Sequence, residues 1–196
     1  MAEHAGARPA AATRIVLIDG RSGSGKSTLA ERLVEALGGA AAGVDLVRMD
    51  DLVPGWRGLA EGSATASASI VAPLARGELA RWTRWDWTAG GPDGDGDWGE
   101  ELHREPGGTL VLEGCGSLTR ASAPLAARSV WIEAPEDARH ARARRRDGDD
   151  SWWEGWREQE DALYSLEGSR SLADLVLDGT LPDERLAAVV AASLEG

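Results

Sequence analysis

Lys26 is the only lysine among the chain's 21 lysine and arginine residues. It stands in IVLIDGRSGSGKST (15–28), where Gly20, four residues, Gly25, Lys26 and Ser27 fit G-x-x-x-x-G-K-[ST]. That spacing makes a phosphate-binding loop: the glycines let successive backbone N–H groups turn inward around an anion. An ammonium is a compact point charge that can bridge phosphate oxygens, whereas a forked guanidinium is bulkier. The Ser27 hydroxyl suits a hard cation such as Mg²⁺. Gly20, Ser22, Gly23, Ser24, Gly25, Lys26, Ser27 and Thr28 are therefore the candidate cradle for ATP·Mg²⁺.

Two further groups could act on a phosphate held there. Asp50 and Asp51 end an apolar segment, DLVRMDD (45–51). A carboxylate beyond the carboxyl end of a strand next to the loop faces the γ-phosphate from the opposite side. There a base accepts the proton of an attacking hydroxyl. Asp50 is the candidate base, and Asp51 its neighbour toward the acceptor. In PEDARHARARRRD (135–147), Arg139, Arg142 and Arg146 fall at i, i+3 and i+7 on one helical face. That face could close over a triphosphate and neutralise charge on the moving phosphoryl group. RWTRWDW (81–87) interleaves indole, guanidinium and carboxylate. It is the candidate wall of an acceptor pocket, with Arg81, Arg84, Asp86 and Trp87 in contact with the substrate.

These residues need strands and helices to position them. RIVLID (14–19) is a short apolar run rich in β-branched residues, which reads as a buried parallel strand. Leu29, Leu33 and Leu37 then repeat at helical spacing up to Gly38-Gly39. DLVRMDD, TLVLEGC (109–115), SVWIEA (129–134) and ADLVLDG (173–179) supply four more strands. Helices are expected over 66–80 (with Pro73 as a candidate break), 135–147, 151–167 and 182–195. Residues 81–87 should be extended and the Gly/Asp-rich 88–100 a loop. Strands alternating with helices give an α/β fold with a parallel sheet covered on both faces. The expected organisation is a mobile tail over 1–13 and one domain over 14–196, with an arginine-rich lid at about 136–155.

The order G-x-x-x-x-G-K-S-T, strand–D-D-L, W-D-W, L-V-L-E-G and R-x-x-R-x-x-x-R-D, over about 14–147, resembles uridine kinase and its relatives, the small-molecule kinases that include phosphoribulokinase and bacterial pantothenate kinase. The resemblance implies the P-loop NTPase fold with five parallel strands in the order 2-3-1-4-5. It implies ATP and Mg²⁺ as cofactors and a small hydroxylated acceptor. It matches Asp50 to the catalytic base and Glu113 to the glutamate near Mg²⁺ and substrate, and it sets Asp86 near the acceptor. Leu52 and Val53 stand where that family carries aromatics, and DGDDSWWEGWREQE replaces the arginine-glycine segment after the lid.

Other classes fit less well. With the only lysine in the loop, there is none for an N-K-x-D guanine-reading motif, and no L-S-G-G-Q-like signature occurs. The net charge of −12 argues against nucleic acid polymers and anionic membranes. No apolar run reaches the ~20 residues of a membrane span, and no signal peptide is read. The single Cys115 fits a reducing cytoplasm. A nucleoside-monophosphate kinase and a nucleotide-binding regulatory protein with slow ATP hydrolysis remain as alternatives. The oligomeric state is open.

Overall fold

The computed structural model describes residues 12–89 and 96–195. The tail up to residue 11, and residues 90–95 of the expected 88–100 loop, lie outside the described residues. Thr13, counted with the tail above, is instead buried, and its hydroxyl accepts from the Gly107 N–H at 2.9 Å.

Five parallel strands form the main sheet: β1 (Arg14–Asp19), β2 (Val44–Arg48), β5 (Thr109–Glu113), β6 (Arg128–Glu133) and β7 (Leu175–Asp178), ordered β2-β5-β1-β6-β7. Counting these strands alone, the order is the expected 2-3-1-4-5. β1 lies at the centre because both faces of its residues are apolar. Ile15 and Leu17 enter one core with Ile70, Leu74, Leu110 and Leu112. Val16 and Ile18 enter the other with Leu29, Leu33, Ile132 and Val190.

The helices covering the two faces are α1 (Lys26–Ala36), α2 (Leu59–Thr65), α3 (Ala72–Ala75), α4 (Glu136–Asp147), α5 (Trp153–Glu167), α6 (Ser169–Leu172) and α7 (Asp183–Ser193). α2 begins ahead of the expected position at 66, and Pro73 does not end the helical run. A wider, π-type turn over Ala66–Val71 links α2 to α3. Proline lacks an N–H and crowds the carbonyl four residues back, so the turn before it opens.

The acceptor-side segment differs more. β3 (Ala80–Asp86) pairs antiparallel with β4 (Asp97–Arg104) in a separate two-stranded sheet. The last part of the expected 88–100 loop is therefore strand. DWGEELHR shows no alternation, because its residues are exposed or half-exposed throughout. Pairing with β3, not burial, holds it extended.

Candidate active site

The phosphate loop joins the carboxyl end of β1 to the first turn of α1. Gly25 caps that helix at φ 108, with no capping side chain and no acid in the first turn. The helix therefore starts with N–H groups and a positive dipole end left for an anion. Gly23, at φ +76, packs against the start of α4: a Cβ there would stand 2.2 Å from the Arg139 carbonyl oxygen. No other residue type fits both the backbone angle and the approach.

Lys26 is buried at 7% exposure. Its Nζ donates to the Arg21 carbonyl at 3.1 Å and lies 3.4 Å from Cys115 Sγ. Burial alone would lower its pKa; the nearby carboxylates of Glu113, Glu160 and Asp19 oppose that and favour the ammonium. Cys115 is a neutral thiol there, its pKa pushed up by burial.

Asp19 ends β1 fully buried and anchors the loop. It accepts from the N–H groups of Gly20 (2.6 Å), Gly116 (3.1 Å) and Leu118 (2.8 Å), and from the Tyr164 hydroxyl (2.8 Å). Burial raises its pKa to about 6, although these hydrogen bonds and Lys26 pull the other way. Glu160 of α5 anchors the loop from the other side. One carboxylate oxygen accepts from the Ser22 N–H at 2.6 Å and from Trp156 Nε1 at 3.1 Å, and the other from Arg21 at 3.4 Å.

Ser27 and Glu113 meet: Ser27 Oγ donates to Glu113 at 3.3 Å, and Arg48 reaches the other carboxylate oxygen at 3.3 Å. Burial raises the Glu113 pKa, with Lys26 and Ser27 opposing. Among the described residues no group of three or more His, Cys, Asp or Glu could hold a metal. A hydroxyl and one carboxylate at this separation suit Mg²⁺, which takes few protein ligands and completes its shell with phosphates and water.

The three arginines of α4 do different things, which changes the expectation of a lid with one free face awaiting an anion. Arg139 is 4% exposed, donates to the carbonyls of Ala134 (3.2 Å) and Ser22 (3.1 Å), and lies over the Trp153 ring. It braces α4 against the loop. Arg142 spans Gly23, Ser24 and Gly179 carbonyls at 3.4, 3.3 and 3.0 Å, tying the loop to the end of β7. Arg146 pairs with Asp147 at 2.6 Å, and the charge of Asp50 also acts on it. Of the three, Arg146 is the one whose charge is felt together with that of Asp50.

On the acceptor side, Asp50 and Asp51 sit in a 3-10 turn (Met49–Asp51) after β2. Asp50 is exposed and its charge reaches Arg48, Asp51 and Glu113. Asp51 is half-buried; desolvation raises its pKa and Arg84 opposes that. Trp87 Nε1 donates to the Asp50 carbonyl at 2.8 Å. Asp86 is taken up by its own turn, accepting from the Thr88 N–H and hydroxyl. Arg81 is not brought to the site. It pairs with Glu101 at 3.2 Å on the open face of the hairpin, one residue from Ala80, whose partner Arg104 pairs with Asp45 near the start of β2.

Sequence reasoning missed Asp19, Glu160, Tyr164 and Arg48, and gave Cys115 no place at the site. Asp19 had a signal, a carboxylate closing an apolar strand directly before the loop. Trp156, Glu160 and Tyr164 are spaced four apart on one face of α5, but nothing local says which partner they meet.

No family model and no curated protein matches the chain. Solved structures do. A structure from Bacillus stearothermophilus described as a possible uridine kinase superposes with a TM-score of 0.59 at 18% identity, covering 88% of this chain and 92% of that one. A sugar kinase from Janibacter sp. HTCC2649 gives 0.54 at 17%, covering 93% and 95%. Shikimate kinase from Acinetobacter baumannii gives 0.54 at 13%, covering 91% and 90%. The chain has the fold of small-molecule P-loop kinases.

Proposed function

We propose that this protein is an ATP-dependent kinase that transfers the γ-phosphoryl group to a hydroxyl of a small nucleoside- or sugar-like molecule. The observation that carries this reading is the convergence of Lys26, Ser27, Glu113, Asp50 and Arg146 at the carboxyl ends of β1, β2 and β5. The loop N–H groups and Lys26 hold the β- and γ-phosphates, with Ser22, Gly23, Ser24 and Thr28 completing the cradle. Ser27 and Glu113 hold Mg²⁺, which neutralises phosphate charge when bound. Asp50 accepts the proton of the attacking hydroxyl, and Asp51, Arg84 and Trp87 orient the acceptor. Arg146 and Lys26 offset charge on the moving phosphoryl group, while Arg139 and Arg142 hold lid and loop in register. A small-molecule kinase using ATP fits the reducing cytoplasm inferred from the single cysteine.

A phosphorylated acceptor fits less well, since Arg81 stands at the far end of the hairpin, and the cations nearest the two aspartates are already paired, Arg84 with Glu100 and Arg48 with Glu31 and Glu113. The test is ADP release across a panel of nucleosides, sugars and amino sugars. One class should stimulate release in wild type and not in Lys26→Ala, where turnover falls by about 10²–10³-fold and ATP binds more weakly. Slow ATP hydrolysis that no acceptor stimulates would favour a regulatory nucleotide-binding protein.

A further inference from the structure

Beside the acceptor end lies a cavity of about 680 Å³, lined by Trp56, Trp152, Trp156, Arg57, Glu158 and Gln159 among others. Its walls are set by specific contacts. Gln159 Nε2 donates to the Trp56 carbonyl at 2.6 Å, tying the 54–58 loop to α5. Trp56 stacks on Trp152 (centroids 5.3 Å, 20° between planes) and meets Trp156 edge-on (6.2 Å, 87°). It also contacts Trp87 at 5.1 Å, and Trp87 is fastened to the Asp50 carbonyl. The cavity is thus joined to the candidate base through one pair of indoles.

Three polar groups on this wall are unused. Arg57 and Glu158 make no hydrogen bond or ion pair among the described residues. The Trp152 indole N–H is buried without an acceptor. Trp56, at 40% exposure, is one of the large apolar side chains the fold leaves open.

We propose that this cavity is a sugar-binding subsite for the phosphoryl acceptor: it takes the C–H face of a pyranose-type ring that carries no phosphate, with ring hydroxyls on Glu158 and Arg57. The proposal rests on the kinase reading of the Asp50 end. The C–H bonds on one face of such a ring carry slight positive charge, which complements the electron-rich face of indole. A carboxylate and a guanidinium beside that face supply acceptors and donors for hydroxyls. Trp56 and Trp152 are stacked on each other, so no parallel slot between them is open to a nucleobase. A phosphate would meet Glu158 and Asp149 against the single cation Arg57.

Intrinsic tryptophan fluorescence of the full chain tests this with glucose, galactose, mannose, glucosamine, uridine and glucose 6-phosphate as separate probes. At least one unphosphorylated sugar should give a saturable change. Trp56→Ala should weaken it by about tenfold and Glu158→Gln by roughly threefold or more. Glucose 6-phosphate should bind more weakly than glucose. The subsite is overturned if no sugar saturates, if both variants bind sugar as wild type does, or if uridine alone binds in a Trp56-dependent way. Binding of a fluorescent ATP analogue with Mg²⁺ is measured on the same samples. A chain that binds the nucleotide and no sugar loses the subsite and keeps the kinase reading. A chain that binds sugar and no nucleotide keeps the subsite and loses the kinase reading. Retained nucleotide binding in Trp56→Ala and Glu158→Gln also shows that the variants are folded.

Discussion

The two ends of the site are built differently. At the phosphate end the charged groups are inside the protein: Asp19 is 0% exposed, Glu160 1%, Arg139 4% and Lys26 7%. Each is held by several partners on other elements. At the acceptor end, Asp50 and Arg57 are exposed, Arg84 is 43% exposed in its pair with Glu100, and Trp56 is 40% exposed. Buried polar networks demand complete satisfaction and so fix one geometry. Exposed charges and ring faces leave room for a ligand to choose its contacts. The phosphate end is therefore suited to a reaction that needs fixed donors, and the acceptor end to recognition.

The sharpest way to break this contrast is at the residue that joins the two ends. Asp50→Asn keeps size and removes the proposed base, so acceptor-dependent transfer should fall by about 10²–10⁴-fold in single-turnover assays. Nucleotide affinity should barely change, because the exposed carboxylate supports no part of the loop. Asp51→Asn should be milder, and the reverse ranking would exchange the roles of the two aspartates.

Glu160→Gln tests the buried end. The amide cannot accept from Ser22, Trp156 and Arg21 as the carboxylate does, so at least one donor loses its partner. KM for ATP should rise by about tenfold, well beyond any rise in KM for the acceptor, whose proposed cavity Glu160 touches only through Trp156. Equal changes in both would mean that the two ends form one unit.

Asp19 gives the pH form of the same test. Its pKa lies at about 6 in the folded chain against 3.8 for an unperturbed group. The folded state thus binds more protons than the unfolded state between about pH 4 and 6. This group's contribution to stability falls as pH rises through that window and is constant above it. Asp19→Asn removes the dependence, so the wild-type advantage over the variant should shrink by about 2 kcal/mol between pH 4 and 7, read from urea unfolding. A pH-independent difference would mean that Asp19 ionises as an ordinary carboxylate. The smallest effect belongs to Arg81→Ala, which should change transfer by less than about twofold because an exposed pair contributes little.

Much of this protein was determined by residues close together in the chain. Strand–loop–helix around Lys26, the five parallel strands and the helical spacing of Arg139, Arg142 and Arg146 are all local patterns. Spacing and apolar periodicity report them because they arise from one strand or one helix at a time. What only the tertiary structure decided depends on contacts across long separations. Glu160 reaches Ser22 across 138 residues and Tyr164 reaches Asp19 across 145. Helical spacing placed Arg139 on the face of Arg142 and Arg146, but not the approach of α4 to Gly23 that buries it. RWTRWDW was legible as extended. Yet a strand rises about 3.3 Å per residue, so Arg81 and Asp86 stand roughly 16 Å apart and cannot share a small ligand. β4 was not legible at all, because most of its residues are exposed without an alternating pattern and its partner strand makes it a strand.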